Sequence, residues 1–324
     1  MILALFLACL LPLATLLWAS SFFYSSFSAD FVSPPAWHWG FSFLAPVAVA
    51  VHGLRRKRID QSGAAMGLIV GFLLTISCLR FFASLLAFFI SASKATVYRS
   101  DLKKKIEADF KEGGQRNWVQ VVSNAGPASV FAIFYMWEVG SVDLPVNFGK
   151  LYSASWYAIA VMSALACASG DTFASSIGLV SGNKNPIHIL KLTRVPRGTN
   201  GGVSLIGTLS SLFGGLVVGV AFYIVELLVL QSGDLLGAPA QWPVILYGGL
   251  AGFLGSLVDS LLGGALQFSG KHPKLDYVVE RPGPGVQHIS GVDILDNHSV
   301  NLLASLLTGL AVPYVAAQTW ISFS

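Results

Sequence analysis

The chain has 324 residues, of which 54% are apolar and 11% charged, against about 25% charged in a soluble domain. That balance leaves little chain for a soluble domain, and a net charge of +4 points by itself to no partner. The three cysteines, Cys9, Cys78 and Cys167, sit in apolar runs with no metal-ligand spacing, so neither a disulfide framework nor a cysteine metal site is expected.

The apolar runs predict an all-α protein: a polytopic helical membrane bundle forming one domain over residues 1–324. Residues 1–29 carry no charge and lack a basic leader, which predicts a membrane helix rather than a cleaved signal. A second span is expected at 37–54. Residues 62–93 form a long run broken only by Arg80. Further spans are expected at 118–137, at 151–180 with Asp171 inside, at 202–233 with Glu226, at 235–270 with Asp259, and at 299–324. Most of these meet the ~20 residues a span needs.

The basic residues set the topology. Of 20 Lys and Arg, 18 fall in four stretches, 55–61, 94–117, 181–201 and 269–298. The positive-inside rule places all four in the cytoplasm, along with the N-terminus. Simple alternation then holds everywhere except across 62–93, which has basic loops at both ends and must cross an even number of times. At 32 residues it is short for two spans. We therefore expect about seven spans plus a re-entrant hairpin bending near Ser77–Arg80; the alternative is one long tilted helix. The sequon Asn297-His298-Ser299 falls on the cytoplasmic side and is expected to be unmodified. Segment 94–117, with Lys103-Lys104-Lys105 among acids, reads as a solvated amphipathic helix at the bilayer surface, with no nucleic-acid signature. Arg281-Pro282-Gly283-Pro284-Gly285 reads as a flexible loop tip.

Ionised carboxylates inside a bilayer cost about 2.5–3.5 kcal/mol each on insertion scales and usually face a polar cavity. Asp171 lies ten residues before Ser181, and Asp259 ten before Ser269. Both therefore sit about 10–15 Å inside the cytoplasmic helix ends. Asp171 shares a helical stripe with Ala160, Ala164, Cys167, Ser175 and Gly178. Asp259 shares one with Gly248, Gly252, Gly255, Ser256 and Gly263. Small residues allow close helix approach, so both acids point into the bundle. The plainer alternative is that each bonds a neighbouring helix. Glu226, near the lumenal end of its helix, reads as structural and within snorkelling reach of the interface. The segments following the two aspartates are weakly alike, each leading through a polar loop to an Asn-x-x-Val helix start, Asn200 to Val203 and Asn297 to Val300. This suggests a weak internal repeat.

The stretch Arg194-Val195-Pro196-Arg197-Gly198-Thr199-Asn200-Gly201-Gly202-Val203-Ser204 is the most chemical. Glycines before a helix let backbone N–H groups approach an anion, and two arginines suit phosphate oxygens. It lacks the Gly-Lys-Ser/Thr of a Walker A loop. Mg²⁺, held by one or two carboxylates together with substrate phosphates, suits such company.

Four ordered motifs together resemble the transmembrane protein 19 family. They are Ser169-Gly170-Asp171-Thr172-Phe173-Ala174-Ser175; Val195-Pro196-x-Gly198-Thr199-Asn200-Gly201-Gly202-Val203-Ser204; Gly255-Ser256-x-x-Asp259-Ser260; and Leu295-Asp296-Asn297-x-x-Val300-Asn301. The stretch from Glu112 to Val121, and Tyr152-Ser153-Ala154-Ser155-Trp156, resemble its animal members. The family includes the plant phytyl-phosphate kinase and is distantly similar to CTP-dependent polyprenol kinases. The resemblance implies phosphoryl transfer from a nucleoside triphosphate, CTP foremost, to a prenyl monophosphate. Asp171 and Asp259 would hold Mg²⁺ or orient the acceptor. Arg194, Gly198, Thr199, Asn200, Gly201, Gly202 and Ser204 would cradle phosphates, and Asn297 and Asn301 would line the site. The expected partners are prenyl lipid phosphate, nucleotide and the bilayer. The expected location is an endomembrane, the endoplasmic reticulum, because no plastid-type transit segment precedes the first span. The chain departs from the family pattern at Ser176, where Glu is usual, at Phe173 for Trp and at His298 for Asn.

Two rival classes remain. Intramembrane acids, a re-entrant segment and repeats also mark transporters, but only Glu226 and Asn124 offer a polar continuation to the other side. A scaffold descended from a kinase is the third reading.

Overall fold

A computed structural model describes residues 2–25, 27, 33–103, 114–181, 185–271 and 278–323. The chain runs α1 (Ile2–Ser25), α2 (Ala36–Arg55), α3 (Gln61–Ser77), α4 (Leu79–Val97), α5 (Ser100–Lys103), α6 (Trp118–Val139) and α7 (Tyr152–Val180). It continues through strands β1 (Ile187–His188) and β2 (Gly202–Val203) to α8 (Leu205–Val229), α9 (Ser232–Leu236) and α10 (Pro243–Leu266). Strands β3 (Ser269–Lys271), β4 (Val278–Val279) and β5 (Gln287–Ser290) precede α11 (Asn297–Thr319). Helices α4, α6, α7, α8, α10 and α11 are each long and apolar enough to cross a membrane. The protein is thus a polytopic helical membrane protein, with two small β ribbons that the all-α reading did not anticipate.

Helix α7 is the axis. Every residue from 158 to 170 is buried, as expected of a helix that is apolar all round. It packs on α4, α6, α8, α10 and α11. Helix α8 shows the opposite arrangement. Leu209, Phe213, Ile224 and Leu228 are exposed on one side, while Ser211, Gly214, Gly215, Val218 and Phe222 are buried on the other. An apolar face of that extent belongs against lipid.

Residues 62–93 bend where expected. Helix α3 stops at Ser77, Cys78 adopts an extended backbone (φ −166°, ψ 134°), and α4 starts at Leu79. The two ends of this hairpin meet: Asp60 N–H donates to the Arg116 carbonyl at 3.0 Å, and Arg116 Nη1 donates to Ser93 Oγ at 3.1 Å. The arms have 17 and 19 residues, about 25 and 28 Å of helix. The tip reaches Asp143, in the loop beyond α6, which accepts from Leu79 N–H at 3.3 Å. The hairpin therefore runs the depth of the bundle rather than stopping half-way, as a re-entrant element would.

The four basic stretches share one face. Arg116 N–H donates to the Arg58 carbonyl (2.9 Å), Arg99 reaches the Val180 carbonyl at the end of α7 (3.3 Å), and Asn200 N–H reaches Ser269 Oγ (3.0 Å). Residues 104–113 of the amphipathic helix expected at 94–117 lie outside the described residues. So do Gly182, Asn183, Lys184 and Lys274. The Pro-Gly stretch 281–285 turns between β4 and β5, with Gly285 at φ +77°.

The two helix–loop–helix units differ in detail. Helix α11 begins at Asn297, capped by Asp296, whose side chain accepts from Ser299 N–H at 2.8 Å. Helix α8 begins only at Leu205, with Ser204 as cap, so Asn200 sits in the preceding turn and not at a helix start. Hydrogen bonds from Ser299 hold the Asp296 carboxyl below its ordinary pKa. The cap is therefore in force at neutral pH and is lost as pH falls through the carboxylate range. Asp296→Ala is expected to cost about 0.5–2 kcal/mol at pH 7 and much less near pH 3, which thermal melts at the two pH values would measure.

Candidate functional site

The site begins with glycine. Helices α7 and α10 cross with their backbones touching: a Cβ on Gly170 would lie 2.5 Å from the Gly252 carbonyl oxygen, and one on Gly255 2.4 Å from Cys167 Sγ. Helix α8 closes on both, with Gly214 against Gly170 and Gly215 against Gly252. Ser169 Oγ donates to the Gly214 carbonyl at 2.8 Å, and Ser305 Oγ ties α11 to the Ala164 carbonyl at 3.1 Å. Any side chain at these crossings would separate the helices, so small residues decide where the next polar positions fall.

Those positions are Asp171, one residue past Gly170, and Asp259, one turn past Gly255. Their carboxyl groups lie within hydrogen-bonding reach of each other, and both residues are half-buried. Helix α11 adds Asn301. With its amide turned to face the carboxylate, its nitrogen donates to Asp259 Oδ2 at 3.0 Å and to the Asn297 carbonyl at 3.1 Å, and its oxygen lies 3.3 Å from Asn124 Oδ1 of α6. Asn124 in turn donates from Nδ2 to the Gln120 carbonyl at 2.9 Å. Four helices thus contribute to one polar cluster inside an apolar bundle. Asp171, Asp259 and Asn301 come together as expected, and Asn297 joins through its backbone. Asn124 was legible only as an isolated polar residue in an apolar run.

The 194–204 loop docks on α10 one turn beyond Asp259. Gly201, at φ +79°, lies so close that a Cβ would come 2.6 Å from Gly264 Cα and 3.1 Å from the Ser260 carbonyl. Several of the expected phosphate-binding side chains are occupied with the loop itself. Asn200 Nδ2 donates to the Phe268 carbonyl at 3.1 Å, Thr199 Oγ1 to the Pro196 carbonyl at 2.7 Å, and Ser204 Oγ accepts from Gly207 N–H at 3.1 Å. Gly202 pairs with His188 in the β1–β2 ribbon. Arg194 and Gly198 are exposed, Gly198 at φ +84°. A residue that sequence reasoning missed anchors the loop: buried His188, whose Nδ1 accepts from Leu190 and Lys191 N–H at 3.2 Å. Burial, then the charge of Lys191, lowers its pKa, keeping the ring neutral as this acceptor role requires.

Glu226 is fully buried and does not snorkel. It accepts from Arg80 Nη1, in a network at the opposite face of the bundle from the aspartates.

The donor set indicates what the cluster can hold. Two carboxylates in contact repel unless a proton or a cation lies between them. No described Lys or Arg forms an ion pair with either. No group of three or more His, Cys, Asp and Glu is assembled among the described residues, so a tetrahedral zinc site is not built here. Oxygen donors alone, two of them anionic, fit a hard divalent cation that takes its remaining ligands from phosphate and water.

Comparison with known proteins agrees with the membrane fold. Residues 44–309 match the family described as integral membrane protein DUF92. The chain is 38% identical over 279 residues to Protein PGR of Arabidopsis thaliana, covering 85% of this chain and 96% of that one. It is 28% identical over 272 residues to an uncharacterized membrane protein of Methanocaldococcus jannaschii, covering 83% and 91%. A Synechocystis membrane protein, also uncharacterized, is 30% identical over 182 residues, 56% of this chain and 61% of its own. No solved structure matches.

Proposed function

We propose, for a chain that belongs to the DUF92 family of integral membrane proteins, the function of a membrane-embedded prenyl-phosphate kinase. The reaction transfers the γ-phosphoryl group of a nucleoside triphosphate, CTP foremost, to the phosphate of an isoprenyl monophosphate such as phytyl phosphate. The bond from the γ-phosphorus to the β-bridging oxygen breaks. A bond from that phosphorus to an acceptor phosphate oxygen forms, leaving prenyl diphosphate and nucleoside diphosphate. The observation that carries this reading is the meeting of Asp171 and Asp259, beside Asn301 and below the glycine loop.

Phosphoryl transfer asks a protein mainly for positioning and for neutralisation of charge. Asp171 and Asp259 would hold Mg²⁺, which when bound supplies positive charge to the phosphate oxygens. Asn301 orients the Asp259 carboxylate by donating to Oδ2. The side chains of Thr199, Asn200 and Ser204 stiffen the loop, leaving Arg194 and backbone N–H groups to meet the nucleotide phosphates. We place the mouth on the cytoplasmic side of an endomembrane, the endoplasmic reticulum; the shared basic face supports the cytoplasmic orientation through the positive-inside rule. Ser176, where Glu is usual, is buried on α7, so here two carboxylates serve without a third. Against a transporter stands the buried run 158–170 of α7, in which Ser163 and Ser169 are the only hydroxyl side chains.

The test uses purified full-length protein with CTP, Mg²⁺ and phytyl phosphate. Prenyl diphosphate should form, and should not form without Mg²⁺. Absence of diphosphate with every nucleotide and prenyl monophosphate tried would reject the enzyme reading.

A further inference from the structure

A second feature lies against the aspartate cluster and is not used by it. Helices α2, α3, α4 and α6 line a narrow, partly open cavity of about 80 Å³, smaller than the ~300–1,000 Å³ of a full small-molecule site. Its walls are apolar, with Pro46, Val70, Phe82, Leu85 and Phe89 among them. Its polar members are confined to one stripe, Arg116, Gln120 and Asn124, four residues apart and therefore on one side of α6 and its N-terminal lead-in. The stripe starts at the basic face and ends at Asn124, which contacts Asn301 and through it Asp259. The cavity is thus apolar along its length, cationic at its mouth and joined along one edge to the candidate site.

Arg116 has the marks of a cation waiting for an anion. Its guanidinium donates to Ser93 Oγ at 3.1 Å and lies 6.0 Å from the centre of the Phe88 ring. No carboxylate pairs with it among the described residues; the nearby Asp60 carboxylate caps α3 through Gly63 N–H and Ser62 Oγ. Burial, then the neighbouring Arg58, lowers its pKa to about 10, so it stays charged at neutral pH. A phosphate there would pair with the Arg116 guanidinium through charge-assisted hydrogen bonds.

The floor of the cavity explains the room. Gly63, Gly67 and Gly71 recur every four residues on α3. Two of the three are filled: a Cβ on Gly63 would strike the Arg116 carbonyl at 2.3 Å, and one on Gly71 would meet Pro46 Cβ at 2.8 Å. Gly67 has nothing within 4 Å of that position. The open recess at Gly67 is free space in the pocket rather than a helix crossing.

We propose that the α2–α3–α4–α6 cavity seats the chain of a single-tailed isoprenoid bearing an anionic phosphate head, with Arg116 receiving the head and the recess at Gly67 receiving the tail. The isoprenoid identity rests on the kinase reading above. The amphiphile chemistry rests on the cavity and Arg116 alone. The head lies at the mouth, where the Gln120–Asn124 edge leads to Asp259, and the branched tail lies among α3 and α4 side chains.

The experiment measures equilibrium binding of radiolabelled phytyl monophosphate to the full chain in detergent, with neither nucleotide nor Mg²⁺ present. Phytol and phosphatidic acid serve as competitors. Phytyl phosphate should bind and phosphatidic acid, with two tails, should displace it poorly. Gly67→Leu fills the recess and should weaken binding about 10–200-fold, whereas Gly67→Ala, which projects one methyl into open space, should bind close to wild type. Arg116→Gln should weaken phytyl phosphate about tenfold to a hundredfold and leave phytol unchanged. Size-exclusion profiles and melting temperatures confirm that the variants fold. Wild-type affinity in Gly67→Leu, or equal displacement by phosphatidic acid, would overturn the proposal. Intact binding with no phosphoryl transfer under any condition supports this site while removing the kinase reading, so the two failures are distinguishable.

Discussion

Replacing either Asp171 or Asp259 with asparagine is expected to lower phosphoryl transfer by about 10²–10³-fold or more, without loss of folded protein. The amide keeps the shape and hydrogen-bonding capacity of the carboxyl but removes the charge that a divalent cation needs. Stability should hold, because the amide can keep the contact between the two side chains, and among the described residues no ion pair to either carboxyl is lost. The double variant should be little worse than either single one, since residues that act as a unit lose their contribution together. Asn301→Leu removes only the donor to Asp259 Oδ2, a supporting contact worth about 10–100-fold in metal affinity or activity. Initial rates measured beside thermal melts with and without Mg²⁺ separate these effects. The wild type should gain melting temperature with Mg²⁺ by mass action, and the aspartate variants should not. Wild-type rates in both single variants would reduce the pair to a structural contact.

Much of this site was legible because it rests on periodicity and charge. Asp171 and Asp259 each stand on a stripe of small residues, and that stripe brings α7 and α10 into backbone contact at Gly170 and Gly252. The bend at Cys78 followed from charge parity, since basic loops at both ends of one apolar run require a return. Other parts left no trace in sequence. Strands of two to four residues carry no period to read, so the ribbons that hold the loops were invisible. Glycine is ambiguous by nature. It permits anion binding and also close packing, and Gly201 shows the second use against Gly264 where sequence suggested the first. Asn124 needed tertiary contact to acquire meaning: its partner Asn301 is 177 residues away.

The network at the far face yields the second large effect. Arg80 is fully buried, and so is Glu226, 146 residues away, to which it donates. Arg80 also pairs with Asp143 Oδ1 at 3.3 Å, donates to Cys78 Sγ at 3.3 Å and lies 4.7 Å above the Phe222 ring. Together these contacts pin the tip of the α3–α4 hairpin to α8 and to the loop after α6. Removing one partner leaves a charge stranded in a low-dielectric interior, at a cost of about 3–5 kcal/mol. Glu226→Leu and Arg80→Met are therefore each expected to lower the melting temperature and the yield sharply. The double variant behaves differently. Arg80 Nη2 and Glu226 Oε2 lack a protein partner, so the wild-type pair already carries unrepaid desolvation. Replacing both with apolar side chains of similar volume should recover most of the loss or exceed wild type. Asp143 is then left alone, but it is partly exposed at the face and can be hydrated. Activity per folded molecule should stay near wild type in the double variant, because the network lies at the opposite face from the aspartates. If melts instead show the single losses adding in the double variant, Arg80 and Glu226 act independently and the pair is not what fastens the hairpin.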